Sequence, residues 1–240
     1  MFTSPLGWVV LALMQLISAY LYISQVDFFL QIQAQLLGNE NAPGLTQIVV
    51  APLFANTAVL GLLLVPLLTM RSISEERRSQ SLPLLMSAPI SMSEIVIGKL
   101  LGLIGFIILI VFIISLMPLS LSFSNKLDFG VFFSAAFGLA MILISFCAAG
   151  IYISSLTAQP MVAAAGSFFF LLLLWIVDWS ANSGETSAIT QTIQYLSILK
   201  HYEPMLRGAI NSSDLIYYCL FISGFTILTI RQLDSYRLKG

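Results

Sequence analysis

Met70-Arg-Ser-Ile-Ser-Glu-Glu-Arg-Arg-Ser-Gln-Ser-Leu-Pro-Leu-Leu-Met-Ser-Ala-Pro89 runs directly into Ile90-Ser-Met-Ser-Glu-Ile-Val-Ile-Gly-Lys99. The stretch carries Arg71, Glu75, Glu76, Arg77, Arg78, Glu94 and Lys99, and it stands between two long apolar runs. Forcing an Arg, Lys or Asp to the centre of a membrane helix costs about 2.5 to 3.5 kcal/mol each, so this segment cannot lie exposed to lipid at depth. It projects from a membrane or rests on its surface.

The rest of the chain supplies that membrane. Of its 240 residues 58% are hydrophobic and 9% charged, against about a quarter charged in ordinary globular chains. A hydrocarbon core about 30 Å thick needs roughly 20 apolar helical residues. Six runs reach or approach that length: 5–23, 48–70, 95–117, 129–153, 160–177 and 215–230. They lack the alternation of barrel strands, and backbone groups in lipid must satisfy one another within a helix or a closed barrel. The sequence predicts an all-α integral membrane protein, one domain over 1–240, with six transmembrane helices and a projecting segment at 71–94 between the second and third. The first run has no Lys or Arg before it and no small-residue cleavage pattern after it, so it reads as a retained span.

An even number of spans puts both termini on the side of the 71–94 segment. That side collects Arg71, Arg77, Arg78, Lys99, Arg231, Arg237 and Lys239, and the other collects Lys126, Lys200 and Arg207. The excess of positive charge predicts a cytoplasmic location for the termini. Trp8, Tyr20, Tyr22, Trp175 and Trp179 fall near span ends, at interface depth. On the outer side, residues 24–47 read as a long polar loop turning at 38–44. Within 180–214, Ile189, Ile193, Leu196 and Leu199 recur at helical spacing, which predicts an amphipathic helix, interfacial or re-entrant, before the last span.

Local signals divide the 71–94 segment. Ser81 is a candidate N-cap, and Pro83 is tolerated in a first turn because its missing amide would have had no intrahelical partner. Leu82, Leu84, Leu85 and Met86 form a short apolar helix, which Pro89 ends by turning Ala88 away from helical dihedrals. Ser91-Met-Ser-Glu94 has capping-box spacing and opens the next helix. Leucines exposed between charged flanks suit a docking surface, and a solvated loop on the headgroups is the other reading.

At this point the pattern Arg71-x-Ile73-x-Glu75-Glu76-Arg77-Arg78-x5-Leu84-Leu85-x-Ser87-Ala88-Pro89-Ile90-Ser91-x-x-Glu94-Ile95-Val96-x-Gly98-Lys99 resembles the signature of ABC-2 type transporter permeases, particularly the gliding-motility and copper-site-maturation types. Phe2-Thr-Ser-Pro-Leu-Gly-Trp-Val-Val resembles the family's opening of the first span. Leu196-Ser-Ile-Leu-Lys-His-Tyr-Glu-Pro-Met-Leu-Arg-Gly208 with Ser213-Asp-Leu-Ile-Tyr-Tyr resembles the stretch before its last span. The resemblance implies a bacterial inner-membrane permease that pairs with a second permease subunit, as homo- or heterodimer, and binds a cytoplasmic ATPase dimer. A periplasmic or membrane accessory protein would be a further partner.

On that resemblance the 2–3 connection is a coupling helix. Leu82, Leu84, Leu85, Met86, Ser87, Ala88 and Pro89 would enter a groove on the ATPase, and Glu75, Glu76, Arg77 and Arg78 would form the polar rim. Two departures stand out. The family usually has Gly-Thr-Leu-Glu where this chain has Gln80-Ser-Leu-Pro83, and only residues 1–4 precede Pro5, where an interface helix is usual.

No Gly-x-x-x-x-Gly-Lys-Ser/Thr occurs, so no phosphate-cradling loop is expected in this chain, and ATP and magnesium are expected in the partner ATPase instead. The single histidine, His201, reads as a surface residue of an outer loop, and with Cys147 and Cys219 in separate apolar runs it suggests neither metal site nor disulfide. Ionisable groups at depth are nearly absent, and Asn56 is the most internal strongly polar residue, which disfavours an ion-coupled carrier. Gly98 and Gly102 have helix-packing spacing. Net charge is −1, and nothing points to nucleic acid. A permease subunit is the leading reading. A membrane scaffold that recruits a partner without transport is the alternative, and an intramembrane enzyme lacks the polar constellation it would need.

Overall fold

A computed structural model describes residues 5–36, 44–81, 91–123, 127–181 and 197–239. Among these the chain is helical, without strands. Its helices are α1 (Pro5–Leu36), α2 (Ala51–Thr69), α3 (Ser74–Arg78), α4 (Met92–Ser120), α5 (Phe129–Leu156), α6 (Pro160–Ala181), α7 (Ile198–Leu206) and α8 (Ser212–Lys239). A π-helical turn, Thr46–Val50, leads into α2, and a 3-10 turn, Leu121–Phe123, follows α4. Five of these stretches are long and apolar enough to cross a membrane: Leu6–Ile32, Thr46–Arg78, Met92–Ser120, Phe129–Leu156 and Ser212–Arg237. The fifth expected span coincides with α6, whose apolar part Pro160–Ile176 is shorter.

α5 is the axis of the bundle, packed by α2, α4, α6, α7 and α8. Every residue from Ile142 to Ile151 is buried, which a helix achieves only when surrounded on all sides. Lipid is as apolar as leucine, so helices gain from close approach rather than from dehydration, and small residues make that approach. Gly150 lies so close to α2 that a Cβ there would sit 2.2 Å from Thr69 Oγ1, and a Cβ on Gly61 of α2 would sit 2.2 Å from Leu143 Cδ2. Hydroxyls assist at other contacts. Ser18 and Thr57 face each other at 3.4 Å between α1 and α2, and Ser134 of α5 donates to the Met205 carbonyl at 2.9 Å. Of the cysteines, Cys147 is buried in α5 and Cys219 is exposed on α8, both free.

Two expectations need correction. α1 does not stop near Ile23 but continues to Leu36. Residues 24–36 include four glutamines and no Gly or Pro, so nothing local breaks the helix past the end of its apolar run. His201 is not a surface residue: it is 4% exposed. It lies in α7, capped by the Ser197 hydroxyl, and its Nδ1 is 2.7 Å from Asp214 Oδ1. Asn211 donates to the other oxygen of Asp214 at 3.1 Å, and the Tyr217 ring stacks on the imidazole at 4.1 Å. A polar group withdrawn from water needs such partners.

The amphipathic helix before the last span is α7, which turns Ile198, His201, Tyr202 and Met205 inward at i, i+3, i+4 and i+7. The earlier part of the expected pattern, Ile189 to Leu196, lies outside the described residues. Burial pushes the Tyr202 phenol well above its usual range. Trp8 and Tyr20 present exposed rings; with α1 continuing to Leu36, Tyr20 lies near the middle of the apolar stretch Leu6–Ile32 rather than at its end, and Tyr22 reaches the Ser120 hydroxyl at 3.2 Å.

Candidate functional site

The charged stretch after α2 folds back onto the bundle. α2 ends at Thr69, a turn follows, and Ser74–Arg78 forms one helical turn, α3. Its N-cap position is Ile73, which has no side-chain acceptor to offer. The need is met from α5. Ser154 Oγ accepts from the amides of Ile73 at 3.2 Å and Ser74 at 3.1 Å and donates to the Met70 carbonyl at 3.0 Å. One buried hydroxyl thus supplies the cap that a Ser, Thr or Asp would supply locally.

α3 then divides its charges between two sides. Glu76 and Arg77 turn toward the bundle. Lys99, two turns into α4, reaches up with its ammonium to the Glu76 carboxylate and the Ser72 carbonyl, an end-of-helix lysine carrying its charge toward the interface. Arg77 donates through Nη1 to the Ser155 carbonyl, and its guanidinium lies over the Tyr236 ring of α8. Glu75 and Arg78 point outward: Glu75 stands 4.0 Å from Arg71, and Arg78 is exposed. The five-residue helix is therefore joined covalently to α2 and by side chains to α4, α5 and α8.

Past α3 the backbone makes a sharp turn at Gln80, with φ 54°, the left-handed region that glycine occupies without strain. Leu82, Leu84, Leu85, Met86, Ser87, Ala88 and Pro89 lie outside the described residues. The chain is described again at Ser91, where the capping box is complete: Ser91 Oγ accepts from the Glu94 amide at 3.3 Å, and Glu94 Oε2 accepts from the Ser91 amide at 2.8 Å.

Gly98 and Gly102 face outward from α4, with no atom within 4 Å of a Cβ built on either. They border a cavity of about 450 Å³ that also reaches Leu6, Arg71, Lys99 and Phe106. Asn56 is exposed on α2, in a cleft of about 550 Å³ toward the α7 end, near Glu203 and Arg207. Ser154, Ser155 and Tyr236 were not marked as site residues by the sequence. Their one signal is polar atoms at the ends of apolar runs, which any interface residue shares.

These contacts fix the relative direction of the helices. Leu6 shares a cavity with Lys99, and Tyr236 lies under Arg77. The start of α1 and the end of α8 therefore lie at the α3 end of the bundle, while α7 packs at the other end.

A bundle of long apolar helices, capped by a folded-back charged turn, defines a multi-pass membrane protein. A family model described as ABC-2 family transporter protein matches residues 1–232, and the chain belongs to that family. Members of the family are membrane subunits of ABC transporters, generally without catalytic chemistry of their own, and they associate with an ABC ATPase. Comparison with curated proteins gives no match.

Proposed function

We propose that this chain is the permease subunit of an ABC-2 exporter, crossing the bacterial inner membrane six times with both termini in the cytoplasm. It works as a dimer, and a separate ATPase dimer binds the segment between the second and third spans. α6 is the fifth span. Leu82, Leu84 and Leu85 dock on the ATPase, with Glu75 and Arg78 at the polar rim, where charges orient a contact more than they tighten it.

One observation carries this reading: the family's charged segment is tied by Ser154, Lys99, Arg77 and Tyr236 to α5, α4 and α8. A load applied beyond Gln80 would reach three spans through those ties, as coupling between a motor and a helical bundle requires. ATP and magnesium belong to the ATPase. The sparse intramembrane charge suits an apolar or amphipathic substrate, or mechanical work on a partner.

The test is co-purification with a co-expressed ABC ATPase from the same organism. Leu84→Asp and Leu85→Asp should abolish association without changing the thermal stability of the permease. If both variants retain the ATPase, the segment is not the docking element.

A further inference from the structure

The cavity at the α3 end is amphipathic, and its two walls differ in kind. Toward the membrane, Gly98 and Gly102 leave an open slot on α4, floored by Leu68 and Phe106. Toward the interface stand Arg71, Glu75, Glu76 and Lys99, two cations and two carboxylates. Its volume of about 450 Å³ is within the range of about 300–1,000 Å³ typical of ligand pockets.

The polar wall leaves one charged pair open to a partner. The Arg71–Glu75 contact is long, 4.0 Å, and both side chains are about half exposed (48% and 56%). Most guanidinium donors and carboxylate lone pairs of that pair are thus available. Lys99, by contrast, is already committed to Glu76 and the Ser72 carbonyl.

Charge then selects the ligand. A simple anion would meet two carboxylates and a simple cation would meet Arg71 and Lys99, so neither is matched. A molecule carrying both signs, with an apolar tail for the glycine slot, satisfies every wall. We propose that this cavity holds a zwitterionic glycerophospholipid with a primary ammonium headgroup: phosphate on Arg71, ammonium at Glu75, and an acyl chain along Gly98 and Gly102. A primary ammonium donates hydrogen bonds to a carboxylate, which a quaternary one cannot. The proposal stands apart from the ATPase reading, since lipid occupancy is measured on the permease alone.

The delipidated full chain would be titrated with dioleoyl phosphatidylethanolamine, phosphatidylcholine and phosphatidylglycerol, with bound lipid counted by native mass spectrometry and apparent Tm followed in parallel. Phosphatidylethanolamine should be retained preferentially and raise Tm. Arg71→Gln should weaken its retention about tenfold, the loss of one charge-assisted hydrogen bond. Gly102→Leu and Gly98→Leu, which fill the slot where nothing stands within 4 Å, should abolish it while leaving the Tm of the lipid-free protein unchanged or higher. Equal or tighter retention of phosphatidylglycerol overturns the proposal, as does unchanged retention in the Arg71→Gln and glycine variants. If the glycine variants lose a dimer mass but no lipid, a second copy fills the slot and the proposal is likewise overturned.

Discussion

The Arg77 guanidinium carbon lies 4.7 Å from the centre of the Tyr236 ring, so a residue near the start of the charged segment is seated on the end of the chain's last helix. The same guanidinium donates to the Ser155 carbonyl. An exposed cation–π contact contributes about 0.5–1 kcal/mol, and a hydrogen bond from a charged donor about 1.5–3 kcal/mol. Arg77→Ala should therefore cost about 2 kcal/mol in unfolding by denaturant in detergent, and Tyr236→Leu about 0.5–1 kcal/mol. The double variant should be no worse than Arg77→Ala alone. Full additivity would show that the two residues do not interact.

Ser154 and Ser155 are adjacent, yet their substitutions should differ sharply. The Ser154 hydroxyl serves the Ile73 and Ser74 amides and the Met70 carbonyl. The Ser155 hydroxyl bonds only locally, to the Tyr152 carbonyl, and it is the Ser155 backbone oxygen that receives Arg77. Ser154→Ala leaves buried groups unbonded and should cost about 1–3 kcal/mol. Ser155→Ala should cost under about 1 kcal/mol. Apparent Tm values for the pair check this, and similar losses at both positions would contradict the cap.

What the sequence revealed and what it hid divide by the range of the interaction. Long apolar runs mark helices because lipid imposes length and composition locally, and the Ser91–Glu94 capping box spans only three residues. Both were legible. The tail of α1 was not, since its Gln-rich residues carry no hydrophobic period. Nor was the inward turn of Glu76 and Arg77: in a five-residue helix, which side faces the bundle is decided by Ser155, Lys99 and Tyr236, each more than twenty residues away. The burial of His201 had a signal that could have been weighed. Asn211 and Asp214 stand at the start of an otherwise apolar run, where a buried histidine would find its acceptor.

Gln80 holds a positive φ of 54° at the end of α3, the left-handed region that favours glycine. A residue with a Cβ pays roughly 1 kcal/mol there. Gln80→Gly should stabilise the permease by about 0.5–1 kcal/mol, offset in part by the greater freedom of the unfolded chain. A lower apparent Tm for Gln80→Gly would show that the side chain makes a contact worth more than the strain.

The pair His201–Asp214 fastens α7 to the start of α8, with Asn211 as a third member. Asp214 is 4% exposed, and removing one side of a buried polar pair costs about 3 kcal/mol. Asp214→Ala should lower stability by that order, and Asp214→Asn by less, because an amide oxygen still accepts from one neighbour. His201→Ala combined with Asp214→Ala should cost little more than either change alone. Apparent Tm across the three variants reads this directly, and independent losses would mean that the residues act separately.

Three glycines in the bundle predict three different outcomes for the same added methyl group. At Gly150 a Cβ would meet Thr69 Oγ1 at 2.2 Å and Thr69 Cβ at 2.8 Å, and Thr69 cannot yield, since it is fully buried and bonded to the Val65 carbonyl. At Gly61 the obstacle is the tip of Leu143, a flexible side chain that can rotate aside at a smaller cost. At Gly102 there is nothing within 4 Å, and alanine gains about 0.5–1 kcal/mol of helix propensity. Gly150→Ala should therefore destabilise by more than about 2 kcal/mol through forced separation of α2 and α5, Gly61→Ala by about 1 kcal/mol, and Gly102→Ala should be neutral or stabilising. Denaturation midpoints in one detergent rank the three, and a Gly150→Ala protein as stable as the parent would mean that α2 and α5 do not touch at Thr69.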